Sequence, residues 1–288
     1  MSQEKLTLNV RTAVRDRYSK IAEEFQTDTQ ANCGCTPVPT SSCCGGDKEE
    51  TVHIAALEKY YQGVDTDTLP EEVTGLSLGC GDPITLAELE EGQRVLDLGS
   101  GGGIDCFLAG QRVGETGHVI GVDMTPAMLS QARANKARLG ADNVEFRLGE
   151  IEHLPVADGI IDVIISNCVI NLSTDKPQVF REMFRVMRPG GKIAVSDMVT
   201  EGELPHGLKE SLSAWAGCVA GALDVEEYIS GIKHAGFVDV EVIPEYLDRD
   251  QVDDAVRQLG GEIQLGGLSK EAVYKAVFSA KITARKPV

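Results

Sequence analysis

Apolar and polar positions along the chain change their rhythm near residue 94. Upstream, Val10, Val14, Tyr18, Ile21 and Phe25 recur at helical spacing and predict an amphipathic helix over residues 6–25. The stretch ANCGCTPVPTSSCCGG, residues 31–46, is rich in Pro, Ser, Thr, Gly and Cys; it cannot propagate a helix and reads as a mobile loop. A short helix is predicted over 50–62, irregular chain over 63–82, and a helix from Pro83 to Leu89.

Downstream, short apolar runs alternate with helical patterns. Strands are predicted at RVLDLGS (94–100), HVIGVD (118–123), VEFRLGE (144–150), IDVIISN (161–167) and GKIAVSD (191–197). Helices fall between them at 104–113, Pro126–Leu139 and Lys176–Met187. Two more helices are predicted at Trp215–Leu223 and Val225–Ala235, then strands at 238–246 and 273–287. This alternation implies an α/β fold: a largely parallel sheet of about seven strands, with right-handed crossovers placing helices on both faces.

Composition narrows the class. At 288 residues with 42% hydrophobic and 25% charged positions, the chain can bury a full core as a globular protein. No apolar run approaches the ~20 residues a membrane span needs, and the N-terminus lacks the apolar segment of a secretory signal. A cytoplasmic enzyme is expected, with no membrane partner. The net charge of −18, without any basic run, argues against nucleic acid, whose binding rests on clustered Lys and Arg. The eight cysteines are therefore read in a reducing setting, as soft-metal ligands, redox groups or core residues.

In an open α/β sheet the ligand binds beyond the carboxyl ends of the strands. The first such loop is Asp97-Leu98-Gly99-Ser100-Gly101-Gly102-Gly103, whose glycines let a ligand approach the backbone. Asp123 ends the second strand, where a carboxylate can accept from both ribose hydroxyls. A dinucleotide fingerprint fails, because its third glycine would have to replace Ile104 or Cys106. The V-L-D-L-G-S-G-x-G loop with an acid closing strand two resembles the class I S-adenosylmethionine-dependent methyltransferases over residues 92–200. That resemblance implies their Rossmann-like fold and S-adenosylmethionine as cofactor. It assigns Asp97, Gly99 and Gly101, with Ser100 between them, to the methionine end and Asp123 to the ribose. Met124 is expected beside the adenine, Glu150 and Ile151 as the adenine-contacting pair, and Asn167 facing the transferred methyl. Three parts are expected along the chain: N-terminal helices and a Cys-rich loop (1–75), a cofactor-binding core (76–200) and a C-terminal substrate-binding, sheet-completing part (201–288).

The acceptor is read from thiols. After the fourth strand, SNCVINLS (166–173) has no proline or aromatic to hold a target nitrogen, and instead places Cys168 at the mouth of the donor pocket. Were Cys80 and Cys218 to converge there, three soft sulfurs would suit trivalent arsenic, which keeps a nucleophilic lone pair. The segments SLGCGDP (77–83), VLDLGSGGGIDC (95–106), GEIEHLP (149–155), SNCVINLS (166–173) and WAGCVAGAL (215–223) resemble the arsenite S-adenosylmethionine methyltransferases, across residues 43–240. By that resemblance Cys80, Cys168 and Cys218 hold arsenic(III), and Cys44 (or Cys43) joins a thiol–disulfide cycle as the fourth catalytic cysteine. It also implies arsenite or arsenic–thiol adducts as substrate, a reductant such as thioredoxin or glutathione, and a role in detoxification. Cys106 reads as core packing, and Cys33 and Cys35 as incidental thiols that gather or relay arsenic. Two other readings stay open: a small-molecule C- or O-methyltransferase with structural cysteines, and a protein that sequesters arsenic or heavy metals.

Overall fold

The computed structural model describes residues 3–31, 61, 69–75, 79, 81–202, 221–246 and 277–288. Among the described residues eight strands form one sheet: β1 (Arg94–Leu98), β2 (His118–Asp123), β3 (Val144–Leu148), β4 (Ile161–Asn167), β5 (Met187–Thr200), β6 (Leu223–Asp224), β7 (Val238–Tyr246) and β8 (Val277–Arg285). Their order is β3-β2-β1-β4-β5-β8-β7, and β6 pairs with the last two residues of β5. Pairing is parallel from β3 to β5, whereas β8 runs antiparallel to both β5 and β7. The seven expected strands are all present, and β6 is a short eighth.

The central strands read as unbroken apolar runs because both faces of the sheet are covered. Leu96 and Leu98 of β1 enter one apolar layer with Ile120, Val122 and Ile164, while Val95 enters the opposite layer with Val119, Val163 and Ile165. This is the two-residue alternation of strand side chains. Helices α6 (Lys176–Val186) and α7 (Val225–His234) close the first layer with Phe180, Met183, Tyr228 and Ile232. Helices α4 (Ile104–Val113) and α5 (Pro126–Leu139) close the second with Phe107, Leu108 and Leu129.

Helix starts follow local chemistry. Asp82 caps α3 (Pro83–Ala87) by accepting from the Thr85 N–H at 2.9 Å, and Asp175 caps α6 through Gln178 N at 3.1 Å. Each such cap satisfies a backbone donor that the helix leaves open, for ~1 kcal/mol. Gly140, at φ 63°, ends α5.

Some boundaries differ from the pattern. Helix α1 runs Gln3–Ala31, longer at both ends than the apolar stripe that marks it. One helical turn, α2 (Glu71–Thr74), follows Pro70 inside the stretch expected to be irregular; four residues are too few to show a period. Strand β5 begins at Met187, with an irregularity in its pairing with β4 between Ile161 and Val163. Leu223 opens β6 instead of closing a helix. The helix expected over 50–62 lies outside the described residues except for Tyr61, as do residues 215–220 and 273–276. Among the described residues no helix is long and apolar enough to cross a membrane.

Candidate active site

The chain leaves β1 through a tight loop bonded to its neighbour strand: Gly99 N and Ser100 N both donate to Val122 O, at 2.8 and 3.1 Å. Gly99 sits at φ 71°, and a Cβ there would lie 2.7 Å from the Cβ of Val169, so this position requires glycine. Asp123, closing β2, receives the Gly101 N–H on one oxygen at 2.9 Å and the Thr125 N–H on the other at 2.7 Å. The acid therefore shapes the glycine loop, and its second lone pairs stay available to a ligand. Burial raises its pKa, and the two backbone donors counter part of that rise.

Two more carboxyls are buried at this end of the sheet. Asp97 lies beneath the loop and accepts from the Cys106 S–H at 3.2 Å. Burial, then the neighbouring charges of Asp105 and Asp123, push it well above the usual carboxylate range. Asp105, in the first turn of α4, is raised to about 6, mainly by burial; the Tyr61 hydroxyl at 2.8 Å and the Asn167 amide at 3.3 Å hold it lower than burial alone would. The Cys106 thiol is free, wholly buried and pushed upward, as expected of a packing cysteine.

Above these groups lies a cavity of about 110 Å³. Its floor is Gly99, Ser100, Gly101 and Gly102; Asp123, Met124, Thr125 and Ile151 form one wall. Asp105, Asn167, Cys168 and Val169 stand at the other end. Helix α1 roofs it with Arg11, Val14 and Tyr18, where Val10 and Val14 pack against Met124 and Leu172. Glu150 is not in this wall; it pairs with Arg11 at 3.1 Å. Its neighbour Glu152 does line the cavity, 3.5 Å from Arg11 and accepting from Ser173 Oγ at 2.6 Å. Arg11 is the one basic side chain among the described lining residues.

Cys168 follows β4 at φ 59°, a left-handed conformation that costs a side-chain-bearing residue ~1–2 kcal/mol. Its N–H donates to Ser196 O at 2.8 Å, and it is buried and disulfide-bonded. The short 3₁₀ turn Ile170–Leu172 behind it is clamped by Asn171, whose amide donates to Asp197 Oδ1 at 2.8 Å and Met198 O at 2.5 Å. Tyr228 of α7 donates to the other Asp197 oxygen at 3.2 Å. The strained turn is thus fixed from β5 and α7 together.

The structure brings together Gly99, Ser100, Gly101, Asp123, Met124, Ile151, Asn167 and Cys168 around one cavity, with Asp97 beneath it. Cys33, Cys35, Cys43, Cys44, Cys80 and Cys218 lie outside the described residues. Sequence reasoning missed Tyr61, Asp105, Arg11 and Glu152. Asp105 alone carried a local signal, an acid one residue into the helix behind the glycine loop.

A doubly wound sheet whose first strand enters a glycine loop, with an acid closing the second strand and without the third glycine of a dinucleotide fingerprint, defines a class I S-adenosylmethionine-dependent methyltransferase. The methyltransferase-domain family matches residues 89–248. An arsenite methyltransferase of Halobacterium salinarum is 43% identical over 279 residues, which cover 96% of this chain and 66% of the relative. One of Aquipseudomonas alcaligenes is 37% identical, over 72% of this chain and 58% of the relative. The crystal structure of an arsenic(III) S-adenosylmethionine methyltransferase from Chlamydomonas reinhardtii aligns at a TM-score of 0.61 and 35% identity, over 82% of this chain and 73% of that one. The chain belongs to the methyltransferase-domain family, in its arsenite methyltransferase branch. It spans two thirds or less of the length of the curated relatives it matches.

Proposed function

We propose that this chain transfers a methyl group from S-adenosylmethionine to trivalent arsenic held by Cys80, Cys168 and Cys218. One observation supports the reading most: Cys168 directly follows β4, in a left-handed conformation, and lines the cofactor cavity together with Asn167. The cavity suits the donor. Buried carboxyls at Asp105 and Asp123, with Asp97 beneath, are matched to a ligand bearing an ammonium and a sulfonium.

The cofactor supplies an electrophilic methyl on a positively charged sulfur. Asp123 and the glycine loop would bind and orient it, Met124 and the pair Glu150 and Ile151 would flank the adenine, and α1 would exclude water from above. Cys168 is disulfide-bonded, so reduction by a cellular thiol such as thioredoxin or glutathione precedes arsenic capture. Arsenic then exchanges its oxygen or thiol ligands for cysteine sulfurs. Its lone pair forms the new carbon–arsenic bond as the carbon–sulfur bond breaks, and the sulfur keeps that bond's electron pair. Alignment is the main catalytic contribution, since arsenic has no proton to lose. Arsenic rises from the trivalent to the pentavalent state. Two electrons from a thiol pair, Cys44 (or Cys43) with Cys80, return it to the trivalent state and leave a disulfide for the reductant.

We retain the division into an N-terminal part (1–75), a cofactor core (76–200) and a C-terminal part (201–288) as the arrangement this chemistry uses, and a cytoplasmic setting as the one that supplies the reductant. The test is product analysis with the full-length protein, arsenite, S-adenosylmethionine and a thiol reductant. Wild type should yield methylated arsenicals and Cys168→Ser none. An unchanged yield from the serine variant would remove Cys168 from the site, and methylation of an organic acceptor without arsenite would favour the small-molecule alternative.

A further inference from the structure

Helix α1 roofs the donor cavity but supplies no residue to either apolar layer of the sheet. Among its described side chains only Val10, Val14 and Ala22 are buried. Val10 and Val14 form a small cluster of their own with Tyr18, Met124 and Leu172, and of these five only Val10 does not also line the cavity. The roof therefore rests on the cavity's own walls, and its few buried apolar groups hold it weakly. With α1 in place the cavity measures about 110 Å³, below the ~300 Å³ at the small end of small-molecule sites. A bound cofactor needs a wall that gives, and the glycine floor and strand ends are fixed by the sheet.

Arg11 fastens this roof. Its Nη1 lies 3.1 Å from Glu150 Oε2 and its Nη2 3.5 Å from Glu152 Oε1, the two acids standing on either side of Ile151. Glu152 is the anchored partner: it is buried, its carboxylate accepts from Ser173 Oγ at 2.6 Å, and its carbonyl accepts from Gln178 Nε2 at 3.1 Å. Glu150 is the half-exposed partner. Ser173 directly follows the Ile170–Leu172 turn, so the same carboxylate ties α1 to the segment beside Cys168. Arg11 Nε is buried without a hydrogen-bond partner among the described residues. A group placed only to hold the fold would have its buried donors paired.

We infer that Arg11 is a positioning residue for S-adenosylmethionine: by bridging Glu150 and Glu152 it latches α1 over the donor cavity, and the cofactor enters and leaves when this latch opens. The inference needs the cofactor but not the arsenic acceptor, so the two readings are tested separately. It also gives α1 a task in the reaction cycle, since opening of such a roof governs release of the spent donor.

The experiment uses the reduced full-length protein without arsenite. Tritiated S-adenosylmethionine, bound and chased by rapid filtration, gives association and dissociation rates, and the melting temperature is recorded for each variant. Arg11→Gln removes the charge and keeps most of the stem. Two partly exposed ion pairs are lost, so dissociation should quicken about fivefold. Association should quicken too, by about twofold, because an unlatched roof admits the cofactor as well as releasing it. Glu150 is outside the cavity wall, and Glu150→Gln should raise both rates by about twofold. Adding it to Arg11→Gln should change little, because its partner is already gone. Arg11→Lys keeps the charge without the two-pronged fork and should restore part of the slow dissociation. Added salt should quicken dissociation from wild type more than from Arg11→Gln, because the pair with Glu150 reaches solvent.

Rates in Arg11→Gln equal to wild type overturn the latch. Faster dissociation with unchanged association also overturns it, because that pattern makes Arg11 a direct cofactor contact and not a latch. Faster rates with a lowered melting temperature, unmatched by Glu150→Gln and unrelieved by Arg11→Lys, reject it as well, since a merely structural role predicts them. Should Arg11→Gln fail to fold, Glu150→Gln and the salt dependence of wild type decide: both rates rising together supports the latch, and dissociation rising alone rejects it.

Discussion

Asp197 offers a quantitative test of the network that holds the Cys168 turn. It is fully buried at the carboxyl end of β5, and burial raises it from 3.8 to about 7. The positive charge of Lys176 and bonds from Met198, Tyr228 and Asn171 limit that rise. The gap between 3.8 and about 7 is worth ~4 kcal/mol between the two protonation states. Because the folded value is the higher one, the native state binds the proton more tightly. The associated stability is fully present below pH 3.8 and is lost as pH rises through about 7. Asp197→Asn removes that dependence. Its carbonyl oxygen can keep the donors Asn171 Nδ2 at 2.8 Å and Met198 N at 3.0 Å, while its amino group faces the Tyr228 oxygen. The variant should be more stable than wild type by up to ~4 kcal/mol at pH 8, ~2 kcal/mol at pH 5, and nearly nothing below pH 4. Urea unfolding at these pH values, with equal slopes for both proteins, reads the difference directly. A variant less stable than wild type at pH 8, or a difference that does not vary with pH, would mean that Lys176 keeps Asp197 ionised and that the carboxylate itself clamps the turn.

Two further outcomes follow from the cavity. Gly99→Ala must place a Cβ at φ 71° and 2.7 Å from the Cβ of Val169. It should cost ~1–2 kcal/mol of stability from the backbone alone and weaken S-adenosylmethionine binding; a melting curve and a calorimetric titration matching wild type would refute the close approach. Asp105, raised to about 6, is mostly protonated at pH 5 and mostly ionised at pH 7.5. A cationic cofactor should therefore bind up to about tenfold more tightly at the higher pH, and Asp105→Asn should flatten that profile; a profile unchanged in the variant would place the ammonium elsewhere.

Much of the fold was legible from local pattern, because the features that set it are local. The β2, β4 and β7 boundaries agree with the apolar runs, and α4 and α5 with the segments between them, since strand period, proline at a helix start and glycine at its end act over a few residues. The four-residue α2 and the two-residue β6 were not legible. Neither is long enough to carry a period, and β6 exists because it meets β5. The antiparallel entry of β8 between β5 and β7 is likewise a matter of pairing partners far apart in sequence.

The glycine loop and Asp123 could be read by themselves, since a loop that admits a ligand and an acid at a strand's end are both properties of short segments. The contacts that give them a setting could not. Tyr61 reaches Asp105 across 44 positions, and Asn167 reaches Gly81 across 86. Arg11 and Tyr18 read only as parts of an amphipathic helix until α1 was laid over the cavity. The sequence by itself determined the α/β order, the donor-binding loop and the presence of a cysteine immediately after the fourth strand. The tertiary structure decided what surrounds them: which carboxyls lose their water, which turn is strained, and which glycines must let two chain segments touch. Burial and close packing depend on partners that folding alone brings together, so no reading of neighbouring residues contains them.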